Sequence, residues 1–314
     1  MIKLKKSLIF GLAVCMALAA TACQDKGTDA VEEGVKAKVN DKVITQEEYD
    51  KQLSFYKKVA ETQYGEGAWD MKVAEGQTIG NYYESTLLDQ LISDLVLVDA
   101  AEKEGIKVTD EELDGELQEF KSYMETDDKY KQFLESYGMN EDYLKESLRK
   151  EYVINHYLSS KIENLEPADE ELQTLFNSLK MNESVRASHI LVKTEDEAKN
   201  VIDRLNKGES FEDLATELSI DTASKDKGGD LDYFSYSEMV QPFSDAAFSM
   251  EAGQISEPVK SEFGYHIIKV TDKKVDDTVT LETKKDELTK YYKSLKYQEL
   301  LNKLISEANI TKDE

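Results

Sequence analysis

The sequence predicts a compact α+β unit inserted into a mainly α-helical body, and three observations carry that prediction. From about residue 45 to residue 180 apolar residues recur at spacings of three and four, the period of helices that bury one face. From Ser184 the texture changes to two strand-like apolar runs, "VRASHILV" and "GYHIIKV", which enclose short helical stretches and a glycine-rich turn. After the charged link "TDKKVDDTVT", the chain ends in "LETKKDELTKYYKSLKYQELLNKLISEA", a helical pattern with no neighbour of its own. An isolated helix rarely buries its apolar face alone, so this one is expected to pack back on the first helical region, which makes the α+β unit an insertion.

Composition agrees with a soluble, helix-rich protein of more than one unit: 314 residues, 40% hydrophobic and 33% charged, with one Trp and three Pro. A formal net charge of -26 repels phosphate backbones and anionic headgroups, so no nucleic-acid partner is expected, and basic or unfolded polypeptides fit better. Plain solubility of an exported protein is the first account of the acidity, ahead of any specific steering role.

The first residues follow the logic of an export signal. Lys3, Lys5 and Lys6 precede an apolar stretch, and small residues then run into Cys23 as "AATAC". That run resembles the bacterial lipobox, in which the Cys is diacylated and becomes the new N-terminus; Ala20 stands where the motif prefers Leu. The competing reading is a plain secretory signal cut after Ala22. Residues 1–22 are therefore expected to leave, taking Cys15 with them. Cys23 is the expected lipidation site, and residues 23–35 form a polar tether without apolar periodicity. With Cys23 as its only cysteine the mature chain has no disulfide and no thiol metal site.

The body, residues 36–182, opens with a hairpin turning at Asn40 and Asp41, followed by Thr45 as helix cap with Glu48 three residues on. A long Leu-rich helix follows and stops at Gly105; the next starts from Thr109 with Glu112 in the capping-box position. Further helices are expected over residues 129–137, 140–162 and 168–179. His156 lies on one of them and is given no role. Residues 183–272 form the α+β unit, and residues 273–314 carry the terminal helix.

Two of the chain's three histidines, His189 and His266, sit in the middle of the apolar strand runs, where Val or Ile would be ordinary. Their ring nitrogens must be satisfied or used.

The stretches "ASHILV" and "DTASKDKGGDLDYFSYSEMVQPFSDAAFSMEAGQISEPVKSEFGYHIIKV" resemble a parvulin-type peptidyl-prolyl isomerase domain, over roughly residues 183–271. Around it, "AKVNDKVITQEEYD" and "LLDQLISDLVLVDAAEKEGIKVTDEEL" resemble the helical chaperone region of extracytoplasmic foldases of the PrsA and SurA kind. With the lipobox in front, the whole chain is similar to the PrsA foldase lipoproteins. The resemblance implies an antiparallel parvulin sheet with surrounding helices, set into a helical chaperone domain. It implies a proline socket at Leu231, Met239 and Phe243 with Phe234 beside them. It also implies paired histidines at His189 and His266, and a carboxylate at Asp221 facing the substrate carbonyl. Each assignment has a plainer counterpart: the four apolar residues read equally as core, and the histidine pair as a structural element of the sheet. Ser219 and Thr222 flank Asp221 and read as network members or as turn residues.

Two positions depart from the family pattern: Asp232 replaces the usual small residue after "GGDL", and Phe263 stands where some members keep a hydroxyl. The acidic loop "KTEDEAK" lacks the basic cluster with which phosphoprotein-directed relatives read phosphate. No cofactor is expected, and three scattered histidines make no zinc site. The function expected from the resemblance is a lipid-anchored peptidyl-prolyl isomerase and foldase on the extracytoplasmic face of the cell membrane. Its partners would be unfolded exported chains with X-Pro bonds, and its helical domain is a candidate homodimer surface. The rival is a holdase whose parvulin domain is catalytically weak. A solute-binding lipoprotein is disfavoured, since no two-lobed α/β pattern is present.

Overall fold

The computed structural model describes residues 32–74 and 76–313. The leader, Cys23 and the tether up to residue 31 lie outside the described residues. The chain divides into two compact units: everything up to Leu165 together with the chain from Lys293 onward, and the inserted segment Glu166–Tyr292.

In the outer unit, β1 (Val35–Val39) and β2 (Lys42–Thr45) form the expected hairpin, with Asn40 left-handed at the turn. Thr45 ends β2 and caps α1 (Gln46–Tyr64): its hydroxyl accepts from the Glu48 amide, and the Glu48 carboxylate accepts from the Thr45 amide. The Leu-rich helix α2 (Ile79–Lys103) is followed by α3 (Asp110–Tyr123), whose Thr109–Glu112 capping box is likewise formed. Then come α4 (Asp127–Ser136) and α5 (Glu141–Leu158), the latter ending in a wider turn over Ser159–Glu163. Leu113, Leu117 and Phe120 of α3 pack with Leu144 and Leu148 of α5 and with Leu301 from the terminal helix. That contact satisfies the apolar face which the sequence leaves without a partner.

Two features of this unit have no sequence signal strong enough to announce them. A hairpin of β3 (Lys72–Ala74) and β4 (Gln77–Thr78) precedes α2. A C-terminal strand, Ile310–Lys312, pairs antiparallel with β1, and Ala37 and Val39 between the neighbouring strands are fully buried against Ile92 and Val96 of α2. Strands of two or three residues are too short to show a period.

The inserted unit starts with α6 (Asp169–Ser178) and β5 (Glu183–Val192), then α7 (Glu195–Asn206) and α8 (Phe211–Leu218). It continues with β6 (Asp230–Phe234), α9 (Gln241–Ser249), β7 (Val259–Ser261) and β8 (Gly264–Val275). The helix α10 (Leu281–Glu307) follows and leads on to the C-terminal strand, β9. The four strands lie in the order β6-β5-β8-β7, each pair antiparallel. Side chains alternate across the sheet. Ile190, Val192 and Ile267 pack under α7 and α8, while Val185, Ala187, Ile268 and Val270 pack under α9. The unit is wider than residues 183–272 because Leu172 and Phe176 of α6 bury themselves against Leu288 of α10, with Lys285 and Asp169 paired at 2.8 Å on the rim.

Candidate active site

The α9 face of the sheet carries His189 on β5 and His266 on β8. In the β5–β8 register Leu191 opposes His266 and Ile268 opposes His189, so the two histidines are diagonal neighbours on one face, within reach of aromatic side chains. Their rings lie 5.4 Å apart at 19°, with the two Nδ1 atoms at 3.2 Å, and both are buried. Gly229 fixes the third strand against them. Its backbone is left-handed (φ +80°), its carbonyl accepts from the His189 amide at 2.9 Å, and a Cβ there would sit 2.3 Å from the His189 carbonyl oxygen. No other residue fits.

Asp221 reaches the pair from the loop after α8. Ser219 Oγ ties this loop down by accepting from the amides of Leu191 (3.2 Å) and Asp221 (3.3 Å). The carboxylate then accepts from the Ala223 amide on Oδ1, and from the Ser224 hydroxyl on Oδ2, which also lies 2.8 Å from His189 Nε2. At the other end, Ser261 Oγ lies 2.7 Å from His266 Nε2 and accepts from the Phe263 amide.

Charge and tautomer follow from these contacts. Burial pushes the Asp221 carboxyl up, but the bonds from Ser224, His189 and the Ala223 amide outweigh it and hold the group below the ordinary Asp range. Burial pushes His266 down to about 4, and the neighbouring His189 adds to the effect, so at neutral pH this imidazole is uncharged. An ionised carboxylate only accepts. His189 Nε2 therefore donates to Asp221; with the His189 ring in its neutral form, its Nδ1 accepts from His266 Nδ1–H and His266 Nε2 accepts from the Ser261 hydroxyl. One directed chain runs from Ser261 to Asp221.

Beside the chain lies an apolar cluster. The Phe243 ring, 2% exposed, stands edge-on to both imidazoles at centroid distances of 5.6 and 5.3 Å, and Phe234 meets Phe243 at 5.8 Å. Leu231 and Met239 border the same cluster and are only partly buried.

Comparison with known proteins gives this geometry its context. Residues 171–274 match the family model described as the PPIC-type PPIASE domain, and residues 3–158 match that of the SurA-like N-terminal domain. The foldase protein PrsA of Caldanaerobacter subterraneus subsp. tengcongensis is 35% identical over 306 residues, covering 95% of this chain and 94% of its own. The chain belongs to the PrsA foldase family. The PrsA protein of Clostridium botulinum is 34% identical over 303 residues, with 91% and 90% covered. The crystal structure of the peptidylprolyl isomerase PrsA from Bacillus cereus matches at 31% identity with a TM-score of 0.44, covering 87% of this chain and 91% of that one. As a member of the PrsA family, this chain is a parvulin-type peptidyl-prolyl isomerase with a SurA-like helical region.

The residues singled out in the sequence of this PrsA family member fall as follows. His189, His266 and Asp221 meet, and Leu231, Phe234, Met239 and Phe243 gather in one cluster. Ser219 orders the loop through backbone amides, and Thr222 is exposed. Asp232 is exposed at φ 57°, which explains why a small residue is usual there. Phe263 is 60% exposed at the β7–β8 turn, and the hydroxyl that meets His266 is that of Ser261. Sequence reasoning missed Ser224 and Ser261. The one signal for Ser224 is its spacing of three from Asp221, which places both side chains on one side of a helical turn.

Proposed function

We propose that the isomerase centre of this chain is the group His189, Asp221 and His266, with Leu231, Phe234, Met239 and Phe243 receiving the proline ring. The single observation that carries this reading is the Asp221–His189–His266 chain lying edge-on against Phe243. Rotation about an X-Pro bond takes tens to hundreds of seconds unassisted, because amide resonance must be lost as the carbonyl twists out of plane. No bond breaks, so neither a nucleophile nor an acyl intermediate is needed.

A catalyst has to hold the ring in an apolar socket and favour the twisted amide over either planar isomer. Phe243 and Phe234 give the socket a rigid floor, and Leu231 and Met239 supply its adaptable rim. The twisted amide has a pyramidal, more basic nitrogen and a carbonyl with less charge on oxygen. An ionised Asp221 facing that carbonyl disfavours the charge-separated resonance form of the planar amide, which lowers the barrier electrostatically. His189 holds the carboxylate in place through Nε2–H, and the buried pair separates the charge from the sheet's core.

The substrates are unfolded or partly folded exported polypeptides containing X-Pro bonds, and the chain works outside the cytoplasm, held at the membrane by a diacylated Cys23. Support comes from the signal-like leader and the small residues before Cys23, and from the SurA-like match of the helical unit. No helix among the described residues is long and apolar enough to cross a membrane. A second reading, capture of unfolded chains by the helical unit, draws support from Tyr64, Met71 and Val73, which are 57, 43 and 55% exposed.

One assay separates the two. With a proline-containing peptide followed by exchange NMR, Asp221→Ala and Phe243→Ala should each lower kcat/KM by about 10²-fold or more while aggregation suppression persists. Undiminished isomerase activity in Asp221→Ala would remove the carboxylate from the mechanism. For the anchor, Cys23→Ser should abolish fatty-acid labelling and leave the leader uncut; normal cutting with an unlabelled wild type would make the protein a secreted one.

A further inference from the structure

Ser224 is marked neither by the sequence pattern nor by the proline chemistry, yet it touches both ends of the Asp221–His189 contact. It is 2% exposed, its hydroxyl donates to Asp221 Oδ2, and the same oxygen lies 3.2 Å from His189 Nε2. Its backbone is committed independently: the carbonyl accepts from the Lys227 amide at 2.8 Å and the Gly229 amide at 3.0 Å, and Asp221 O accepts from the Lys225 amide at 3.0 Å. These bonds set the course of the loop from Asp221 to Gly229 without the hydroxyl. The side chain's remaining work is on the carboxylate.

We propose that Ser224 is a positioning residue of the isomerase centre: its hydroxyl, closing on the carboxylate oxygen that also receives His189 Nε2–H, keeps Asp221 an acceptor and thereby holds His189 Nε2 as a donor toward it. The inference rests on the catalytic reading of Asp221, His189 and His266 given above. Oδ2 has two donors, Ser224 and His189, and Oδ1 has the Ala223 amide. Removing Ser224 leaves His189 as the sole side-chain donor in a half-buried place, where an unsolvated carboxylate takes a proton more readily. A protonated Asp221 can donate instead of accept. The direction that the carboxylate imposes on its contact with His189 Nε2–H would then be lost. The titratable groups that face the carboxylate from the packed elements are His189 on β5 and, beyond it, His266 on β8. The Ser224 contact is the largest of those that hold the Asp221 carboxyl down.

The test is kcat/KM of the full-length protein from pH 3.5 to 8, by exchange NMR on a proline-containing peptide, together with imidazole ¹⁵N shifts that report each tautomer. In Ser224→Ala the acid limb should move up by about one pH unit, the tenfold change in proton affinity that loss of one charge-assisted hydrogen bond brings. The ¹⁵N shift of His189 Nε2, which reports its bond to the carboxylate, should move with the acid limb, and Ser224→Thr should restore both. Should Ser224→Ala fold poorly, Ser224→Cys keeps the volume with a weak donor and is expected to show the same displacement. An unmoved acid limb and wild-type ¹⁵N shifts in the folded Ala or Cys variant, with Asp221→Ala inactive, would overturn the role of Ser224. Full activity in Asp221→Ala would overturn the centre itself.

Discussion

The two faces of the β6-β5-β8-β7 sheet are made from alternate residues of the same strands, and they do different things. Under α7 and α8 the centre of the face is apolar: Ile190 and Ile267 are fully buried among Ala198, Val201, Phe211 and Leu214. Under α9 the same strands place His189 and His266 where aliphatic residues would otherwise go; their Nδ1 atoms meet each other, and Asp221 and Ser261 meet the two Nε2 atoms. No buried side-chain nitrogen or oxygen among the described residues lacks a hydrogen-bond partner, so the polar face carries its histidines without orphaned groups. A period of two is what allows this division: neighbouring residues along one strand face an apolar core and a polar network separately.

The largest effect that tests the division is on the apolar face. Ile267→Ala should cost about 2–5 kcal/mol of stability, because the site is enclosed on all sides and the cavity cannot collapse. Its kcat/KM, measured where the variant is still folded, should stay within about twofold of wild type. A loss of activity comparable to that of Asp221→Ala would show that the two faces are coupled.

The next effect is the dependence of stability on pH that the buried histidine brings to the polar face. The His266 imidazole is pushed down to about 4 by burial, against an ordinary value of 6.5. The fold therefore favours the neutral ring. Its stabilising contribution is complete above pH 6.5 and is lost as pH falls from there through about 4. The 2.5-unit difference amounts to about 3 kcal/mol across that window. Asp221, whose carboxyl is held below its ordinary 3.8, titrates beneath it. Urea midpoints at pH 7 and pH 4 should fall more steeply for the wild type than for His266→Asn; parallel profiles would mean that the ring is not desolvated as its surroundings imply.

The smallest effect lies at the edge of the sheet. Asp232, exposed and left-handed at φ 57°, should be replaced by Gly with a gain of about 1 kcal/mol, since an L side chain in that conformation costs about that much. Isomerase activity should not change. A fall in activity would connect Asp232 to the centre, through the loop that Asp230 anchors by accepting from the Asp232 amide at 3.1 Å.

Much of this architecture is legible in the order of residues. The capping boxes at Thr45 and Thr109 are local: four residues in a row contain both partners, and both boxes form. The alternation that puts a histidine in each strand is also local, and so is the excess apolar helix at the C-terminus. Other features are set by register and by loop closure, which no short stretch contains. That His189 and His266 meet depends on the register that sets Leu191 opposite His266 and Ile268 opposite His189, and one residue of slip between the strands would put the two rings on opposite faces. Ser224 and Ser261 become network members only once the loops around Gly229 and Gly264 have closed. β9 reaches β1 across nearly the whole chain, with only three residues and no period of its own.

The sequence by itself determined what is encoded within a few residues: helix starts, strand alternation, the residue types of the site and the family to which they point. Tertiary structure alone decided which of the many hydroxyls faces which imidazole, and hence the direction of the chain from Ser261 to Asp221. The physical reason is that a hydrogen bond needs its atoms within about 3 Å, a tolerance finer than the spacing of residues along a strand, and only the closed sheet and its tied-down loop meet it.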